Sequence, residues 1–268
     1  AVAGAPTLEA LAMALSGVAS GGFLPHENGL AAYPGAVTGV LFLLVVYSGA
    51  NFVLLARLVR GNKERVRDVE TGAYVVMIII VGVLFWLLAG AGDALLIFPQ
   101  LFNAASMLST NGYVLGEAPP ITVALVTAII GGAAVSTAGG FKILRWLVIM
   151  RRAREEIRRL VTPSAVFGKG GIGNELGVWI HFLVFTMTLA ALLAALALGG
   201  HTFELAAAAA KAALSNAGPL INLAEGGAEG YRVFSEPLRW LLLAGMILGR
   251  LEAAVALALF NRAFWRVI

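Results

Sequence analysis

The sequence predicts an all-α polytopic membrane protein built from a repeated unit of span, short helix, loop and span. Three observations predict it. The 268 residues are 60% hydrophobic and only 13% charged, with a mean hydropathy of +0.89, whereas soluble domains carry about a quarter charged residues. Apolar runs near the roughly 20 residues needed to cross a bilayer recur along the chain. One octet pattern of small residues returns three times, each time after a shorter apolar stretch.

Taken in order, the long apolar runs cover about Gly35 to Leu58, Thr71 to Ala89, Pro120 to Met150, Leu176 to Leu198 and Leu238 to Phe260. Between them lie Thr7 to Leu15, Ala94 to Leu108 and Phe203 to Leu214. These three are too short to cross, which leaves a buried helix or a re-entrant segment. Each ends in small polar residues and Gly before a polar loop. That suits a half-helix that enters the membrane and returns as extended chain. No signal peptide is expected, because no basic stretch precedes Ala1 to Ser16.

Lys and Arg set the orientation. One loop holds Arg57, Arg60, Lys63, Arg65 and Arg67, and a second holds Arg145, Arg151, Arg152, Arg154, Arg158, Arg159 and Lys169. The tail adds Arg262 and Arg266. The opposite loops carry Asp93, Glu117, Glu204, Glu225, Glu229 and Glu236. The positive-inside rule places the basic loops in the cytoplasm, with the short stretches entering from outside. The net charge of +4 is explained by this topology, so nucleic acid is rejected as a partner. Anionic lipid or a cytoplasmic subunit is a secondary use of the same charges. With no Cys and three scattered His (His26, His181, His201), disulfides and thiolate metal sites are excluded and no metal cluster is suggested. His181 reads as a packed or interfacial histidine.

The octets are Ser16–Phe23 (SGVASGGF), Ser106–Tyr113 (SMLSTNGY) and Ala212–Pro219 (AALSNAGP). Ser20, Thr110 and Asn216 share a column, as do Gly22, Gly112 and Gly218. The repeat divides the chain into a half unit over 1–70, a unit over 71–170 with an interrupted inner span, and a unit over 171–268. Extended backbone at membrane depth is tolerated only where it lines a watery cavity or is buried in protein, and a ring of carbonyls replaces the hydration shell of a monovalent cation. Gly opens backbone conformations closed to other residues, and Asn, Ser and Thr offer neutral oxygens. No carboxylate lies in the octets, which disfavours Ca²⁺ and favours K⁺. The competing reading, small residues marking close helix packing, suits one copy better than three aligned copies.

The third run is interrupted by Gly131-Gly132-Ala133-Ala134-Val135-Ser136-Thr137-Ala138-Gly139-Gly140. Gly costs about 1 kcal/mol against Ala in a helix, so a break is expected, with close packing as the alternative. Lys142 and Arg145 follow it and are placed to snorkel. Arg250 and Glu252 lie in the last apolar run. They are two apart and do not face each other, so Arg250 needs another partner. Arg151 to Leu160 reads as a basic, amphipathic cytoplasmic helix end. Gly168 to Gly173 is Gly-rich but follows no predicted strand and is no phosphate loop. No nucleophile–base pair is visible, so an enzyme is not expected.

These motifs resemble the Trk/Ktr/HKT family of potassium transporters, most closely its bacterial TrkH type. The family's loops look like Ser-x-x-x-Thr-Gly-Gly-Phe, Thr-Thr-x-Gly-Tyr and Ser-Asn-x-Gly-Pro, matched here by Ser16–Phe23, Ser109–Tyr113 and Ser215–Pro219. Gly139–Arg145, Leu248–Glu252 and Phe264–Arg266 also look like the family. Ser20 and Asn111 stand where the family often has Thr. The resemblance implies a pseudo-four-fold pore that takes up K⁺ as permeant ion, with no bound cofactor. It implies a filter of Ala19, Ser20, Gly21, Gly22, Ser109, Thr110, Asn111, Gly112, Ser215, Asn216, Ala217 and Gly218, with K⁺ at Ser20, Gly21, Thr110, Asn111, Asn216 and Ala217. It further implies a gating loop with Gly131, Gly132, Ser136, Thr137, Gly139, Gly140 and Lys142, and Arg250 as an electrostatic barrier below the filter. The expected setting is the inner membrane, as a homodimer with a cytosolic nucleotide-binding, TrkA-like regulatory subunit. Measured against four units, the first unit and half of the second are missing, so the chain is expected to be a piece of a longer protein or to be completed by another chain. The alternatives are a Na⁺-permeable transporter of the same fold, disfavoured by the column glycines, and a non-transporting scaffold.

Overall fold

The computed structural model describes residues 1–26, 29–53, 56, 69–90, 93–161 and 175–251. The basic stretch from Arg57 to Arg67, Gly168–Gly173, Glu252 and the tail with Arg262 and Arg266 lie outside the described residues. The described chain is helical throughout, without strands. Its helices are α1 (Thr7–Val18), α2 (Gly35–Gly49), α3 (Val69–Leu88), α4 (Ile97–Leu108), α5 (Ile121–Ile130), α6 (Ile143–Val161), α7 (Glu175–Leu198), α8 (Phe203–Ser215) and α9 (Glu236–Arg250).

Two of these helices are by themselves long and apolar enough to cross a membrane: α3, with a hydropathy of 2.5, and Leu176–Leu198 of α7, with 2.2. In α3, Tyr74, Ile78, Val81 and Phe85 are buried at the spacing of one helix face, while Val75, Val76, Ile79, Ile80, Val83 and Leu87 are exposed on the other. A helix apolar on both faces with one face uncovered is suited to lipid.

Two of the other predicted spans are interrupted. In the first, α2 ends at Gly49, because Ala50 is extended (φ −84°, ψ 165°) and the last carbonyls of α2 are taken by a loop described below, and Phe52 and Val53 are helical again. The third is broken as expected, α5 ending at Ile130 and α6 beginning at Ile143, with the break running to Lys142 rather than Gly140. α6 then continues through Arg151–Leu160 as one helix, its polar face laced by Arg152–Glu156 (2.7 Å) and Arg151–Glu155 (3.2 Å) pairs. Such exposed pairs contribute little stability. The last run is helical from Glu236 to Arg250.

The short helices α4 and α8 hold the centre, while α1 packs on α2 and is largely exposed. α4 packs on α2, α3 and α5, and α8 on α7, α9 and α5. α8 manages this with an alanine run, Ala206–Ala210 with Ala212 and Ala213, all buried. Small side chains bring backbones close where lipid supplies no hydrophobic drive between helices. Its start is capped by Thr202, whose hydroxyl accepts from the Leu205 N–H at 3.4 Å. Gly82 of α3 serves the same purpose: a Cβ there would lie 2.6 Å from Leu101 Cδ2 and 3.1 Å from Leu101 Cα. Gly82→Leu should therefore push α3 off α4 and destabilise the protein by about 1–3 kcal/mol, read as a lower melting temperature in detergent or nanodiscs.

Candidate functional site

Three short helices of 12, 12 and 13 residues end in the same turn. The N–H of Ser20 points to Gly17 O (3.4 Å), that of Thr110 to Met107 O (3.1 Å) and that of Asn216 to Ala213 O (3.1 Å). One residue later, Gly21 bonds Ser16 O (2.8 Å), Asn111 bonds Ser106 O (2.9 Å) and Ala217 bonds Ala212 O (2.9 Å). Ser20, Thr110 and Asn216 take the left-handed conformation, with φ of 53°, 56° and 56°. Each helix C-terminus carries a partial negative charge of roughly half an electron, so three such ends favour a cation.

The turns lie against one another. A Cβ on Gly22 would fall 1.7 Å from Asn111 O, and one on Gly112 would fall 3.1 Å from Pro219 Cδ. The hydroxyl of Tyr113 donates to Ser16 Oγ at 3.0 Å, and the Phe23 N–H reaches the same oxygen at 2.7 Å, tying the first two turns together. The chain after the second turn is held by buried Asn103 of α4. Its Oδ1 accepts from Leu115 N–H (2.7 Å) and its Nδ2 donates to Leu115 O (3.1 Å) and Glu117 O (3.2 Å). The third turn departs from the other two, since Gly218 lacks the positive φ of Gly22 (73°) and Gly112 (78°) and opens a 3₁₀ turn instead.

The polar side chains of the turns also bond to their surroundings. Asn111 Nδ2 donates to Ser48 Oγ (3.1 Å) and Ser109 Oγ (2.9 Å), Asn216 Nδ2 to Met246 O (3.0 Å), and Thr110 Oγ1 accepts from Gly139 N–H (2.7 Å). Asn111 Oδ1 and Ser215 Oγ are buried without a hydrogen-bond partner among the described residues, so the oxygens left for an ion at the turns are these two together with backbone carbonyls. On the side of the loops that follow the turns, a cavity of about 520 Å³ is lined by Gly22, His26, Gly112, Gly218, Asn222 and Tyr231, among others.

On the opposite side the break between α5 and α6 touches all three turns. Thr137 Oγ1 donates to Val18 O (2.6 Å), and Thr137 O lies 2.7 Å from Ser20 Oγ. Gly139 binds Thr110 through its N–H, and a Cβ on Gly139 would fall 1.9 Å from Ser215 O. The loop's amides end two helices: Ala133 N–H bonds Gly49 O (2.9 Å) and Thr137 N–H bonds Ser48 O (3.2 Å) on α2, while Phe141 and Lys142 bond Ile129 O (2.8 Å) and Ile130 O (3.0 Å) on α5. Lys142, itself left-handed (φ 80°), folds its ammonium back onto the carbonyls of Ala138 and Ser136. Arg250 at the end of α9 donates to Thr137 O (2.8 Å), Ser20 Oγ (3.1 Å) and Ala19 O (3.0 Å). A cavity of about 300 Å³ beneath is lined by Ser136, Thr137, Lys142, His181, Phe185 and Arg250, among others.

The residues expected from the sequence to form the filter and the gate thus fall on the three turns, on the loop, or, as Arg250, against both. Two that sequence reasoning passed over also belong here: Ser48 holds Asn111 and Thr137, and Glu70 accepts from the Ala134 N–H. His181, expected to be packed or interfacial, is buried against Phe141 (ring centroids 5.6 Å) and lines the cavity beneath the loop. Glu70 carried a readable signal, an acid opening an apolar run directly after a basic stretch.

Short helices whose C-terminal turns lie against one another over a broken helix form a layout suited to an integral membrane protein. The family profile described as TrkH, cation transport protein, matches residues 94–265, and the chain belongs to that family. The TrkH Trk system potassium uptake protein of Salmonella typhimurium is 29% identical over 285 residues, covering 98% of this chain and 58% of its own length. TrkI of Halomonas elongata is 29% identical, with 98% and 57% covered. The crystal structure of the potassium transporter TrkH from Vibrio parahaemolyticus superposes with a TM-score of 0.84 at 26% identity, over 98% of this chain and 60% of that one. The chain therefore spans somewhat under two thirds of the length of these relatives.

The glycine contacts give a graded expectation. Gly22→Ala and Gly139→Ala place a methyl inside a carbonyl oxygen and should each cost at least about 2 kcal/mol, whereas Gly218→Ala meets open space and should leave the melting temperature within a degree or two of the parent, about the ±0.5 kcal/mol of a neutral substitution.

Proposed function

We propose that the protein to which this chain belongs takes up potassium ions across the cytoplasmic membrane through a gated, carbonyl-lined pore. The observation that carries this is the packing together of three like turns, each at a helix C-terminus, over a loop that bonds the first two and lies directly against the third. The named activity of the relatives, potassium uptake, supports it.

An entering ion sheds water in exchange for backbone oxygens. On this reading these come from Ala19–Gly22, Ser109–Gly112 and Ser215–Gly218, with K⁺ at the levels of Ser20 and Gly21, Thr110 and Asn111, and Asn216 and Ala217. The chain contributes a half unit over 1–70 and two units over 71–170 and 171–268. The fourth part of the ring comes from the further length that the relatives have. Loop 131–142 blocks the exit, with Gly131, Gly132, Gly139 and Gly140 as its flexible points and Ser136 and Thr137 at its crest. Lys142 and Arg250 add a positive barrier. The basic segments face the cytoplasm, and the assembly is a homodimer in lipid that meets a cytosolic nucleotide-binding, TrkA-like subunit there.

The test is Rb⁺ uptake in a K⁺-transport-deficient bacterium. The 268-residue chain is compared with the chain extended by the genomic sequence upstream of Ala1. Uptake by the extended protein, falling to the background of empty cells on Gly112→Asp at equal membrane abundance, is the expected result. No uptake by a well-expressed extended protein, with or without a co-expressed regulatory subunit, would overturn the reading.

A further inference from the structure

Loop 131–142 is held in place by more than the two helices it interrupts. Its central residues, Ala134 and Val135, are gripped from outside: the Phe52 N–H donates to Val135 O at 2.9 Å, and the Ala134 N–H donates to Oε1 of Glu70. Glu70 sits in the first turn of α3 and is only 6% exposed. It lies 64 positions from its partner in sequence, so this bond joins one of the long lipid-facing helices to the middle of the loop.

A carboxylate this buried is unfavourable unless its oxygens are bonded. Features that make the position tolerable include the positive end of the helix in whose first turn it lies and the charge-assisted bond from Ala134. An alanine or serine at the first turn of α3 would serve the helix at less desolvation cost, yet neither could reach a backbone N–H on the loop. We infer that Glu70 is a positioning residue that latches the loop in its blocking position by accepting the Ala134 amide proton. The inference rests on the reading of the loop as a gate.

With the latch in place, moving the loop out of the pathway requires breaking a charged hydrogen bond as well as the bonds to Ser48 and Gly49. Loss of one such bond shifts a two-state balance by roughly ten- to a hundredfold toward the unlatched state. Gln keeps an acceptor oxygen at the same reach, whereas Ala keeps none. Lys142 and Arg250 hold carbonyls of the same loop, at Ser136, Ala138 and Thr137. Glu70 therefore acts on the opposite polarity of group, an amide, and from the opposite flank in sequence.

The experiment uses the full-length protein in proteoliposomes without its regulatory subunit. Rb⁺ flux is measured for the parent, E70A and E70Q. A second readout is the modification rate of a cysteine introduced as S136C, since this chain contains no cysteine, any elsewhere in the protein being replaced first. The expected result is a leak raised roughly tenfold in E70A, with faster modification of S136C in that background, and most of the block retained in E70Q. If the parent itself carries no Rb⁺ under any condition, the pore reading fails. If the parent conducts but E70A leaves both leak and modification unchanged, or lowers the flux, the latch is wrong while the pore stands. Should E70A not accumulate in the membrane, A134P removes the same N–H donor and is read by the same two outcomes.

Discussion

Backbone polar groups at membrane depth have no water to bond, and most of this structure follows from where those groups go instead. A helix ends with four free carbonyls. α2 ends inside the molecule, and its Ser48 and Gly49 carbonyls are met by the amides of Thr137 and Ala133. α5 ends next to it, and its Ile129 and Ile130 carbonyls are met by Phe141 and Lys142. The loop is therefore the shared cap of two broken helices, which is why a stretch with four glycines holds a defined path. The same requirement explains Asn103, whose amide supplies both a donor and an acceptor to the returning chain at Leu115 and Glu117.

Close approach is the second constraint, and it fixes which residues are small. Gly22 stands against the Asn111 carbonyl and Gly139 against the Ser215 carbonyl; any side chain would occupy the place of an oxygen. Gly49 faces the ring of Tyr74 in the same way, where a Cβ would lie 2.2 Å from its hydroxyl. These contacts join loop, turns and spans into one packed unit, so a displacement of the loop is felt by all three turns.

This division explains what was legible in the sequence. The all-helical membrane class, the three short helices and the break after Ile130 were readable because hydropathy, length and glycine content are local properties. The octet alignment was readable because a turn with a left-handed residue in its fifth place restricts residue choice in each copy: Ser20, Thr110 and Asn216 fall in one column and share that conformation. The end of α2 at Gly49 was not readable, since Phe52, Val53, Leu54 and Leu55 continue the apolar run and only the distant loop withdraws the helix's last carbonyls. Ser48 and Glu70 were missed for the same reason. Their partners lie 63 and 64 positions away, and neither sits in a repeated pattern. The side chains of Asn111 and Asn216 look in sequence like ion ligands, and the structure adds tertiary bonds from their Nδ2 atoms to Ser48 Oγ and Met246 O that no local pattern announces.

The charges complete the argument. Above, three helix C-termini present partial negative charge to the turns. Below, an ammonium and a guanidinium occupy carbonyls of the loop: Lys142 those of Ser136 and Ala138, Arg250 that of Thr137, with Ala19 O of the first turn beside it. These are, on the proposed reading, the oxygens a dehydrated cation would next meet on leaving the turns. On the proposed reading the two tethered cations stand in for the permeant one, so the exit is blocked by occupancy as well as by bulk. Removing the block requires that both cations give up their carbonyls, which costs little only if the loop carries those carbonyls away from them. Movement of the loop and release of the barrier are then one event, and anything that holds the loop from its other flank, as Glu70 does through the Ala134 amide, acts on both.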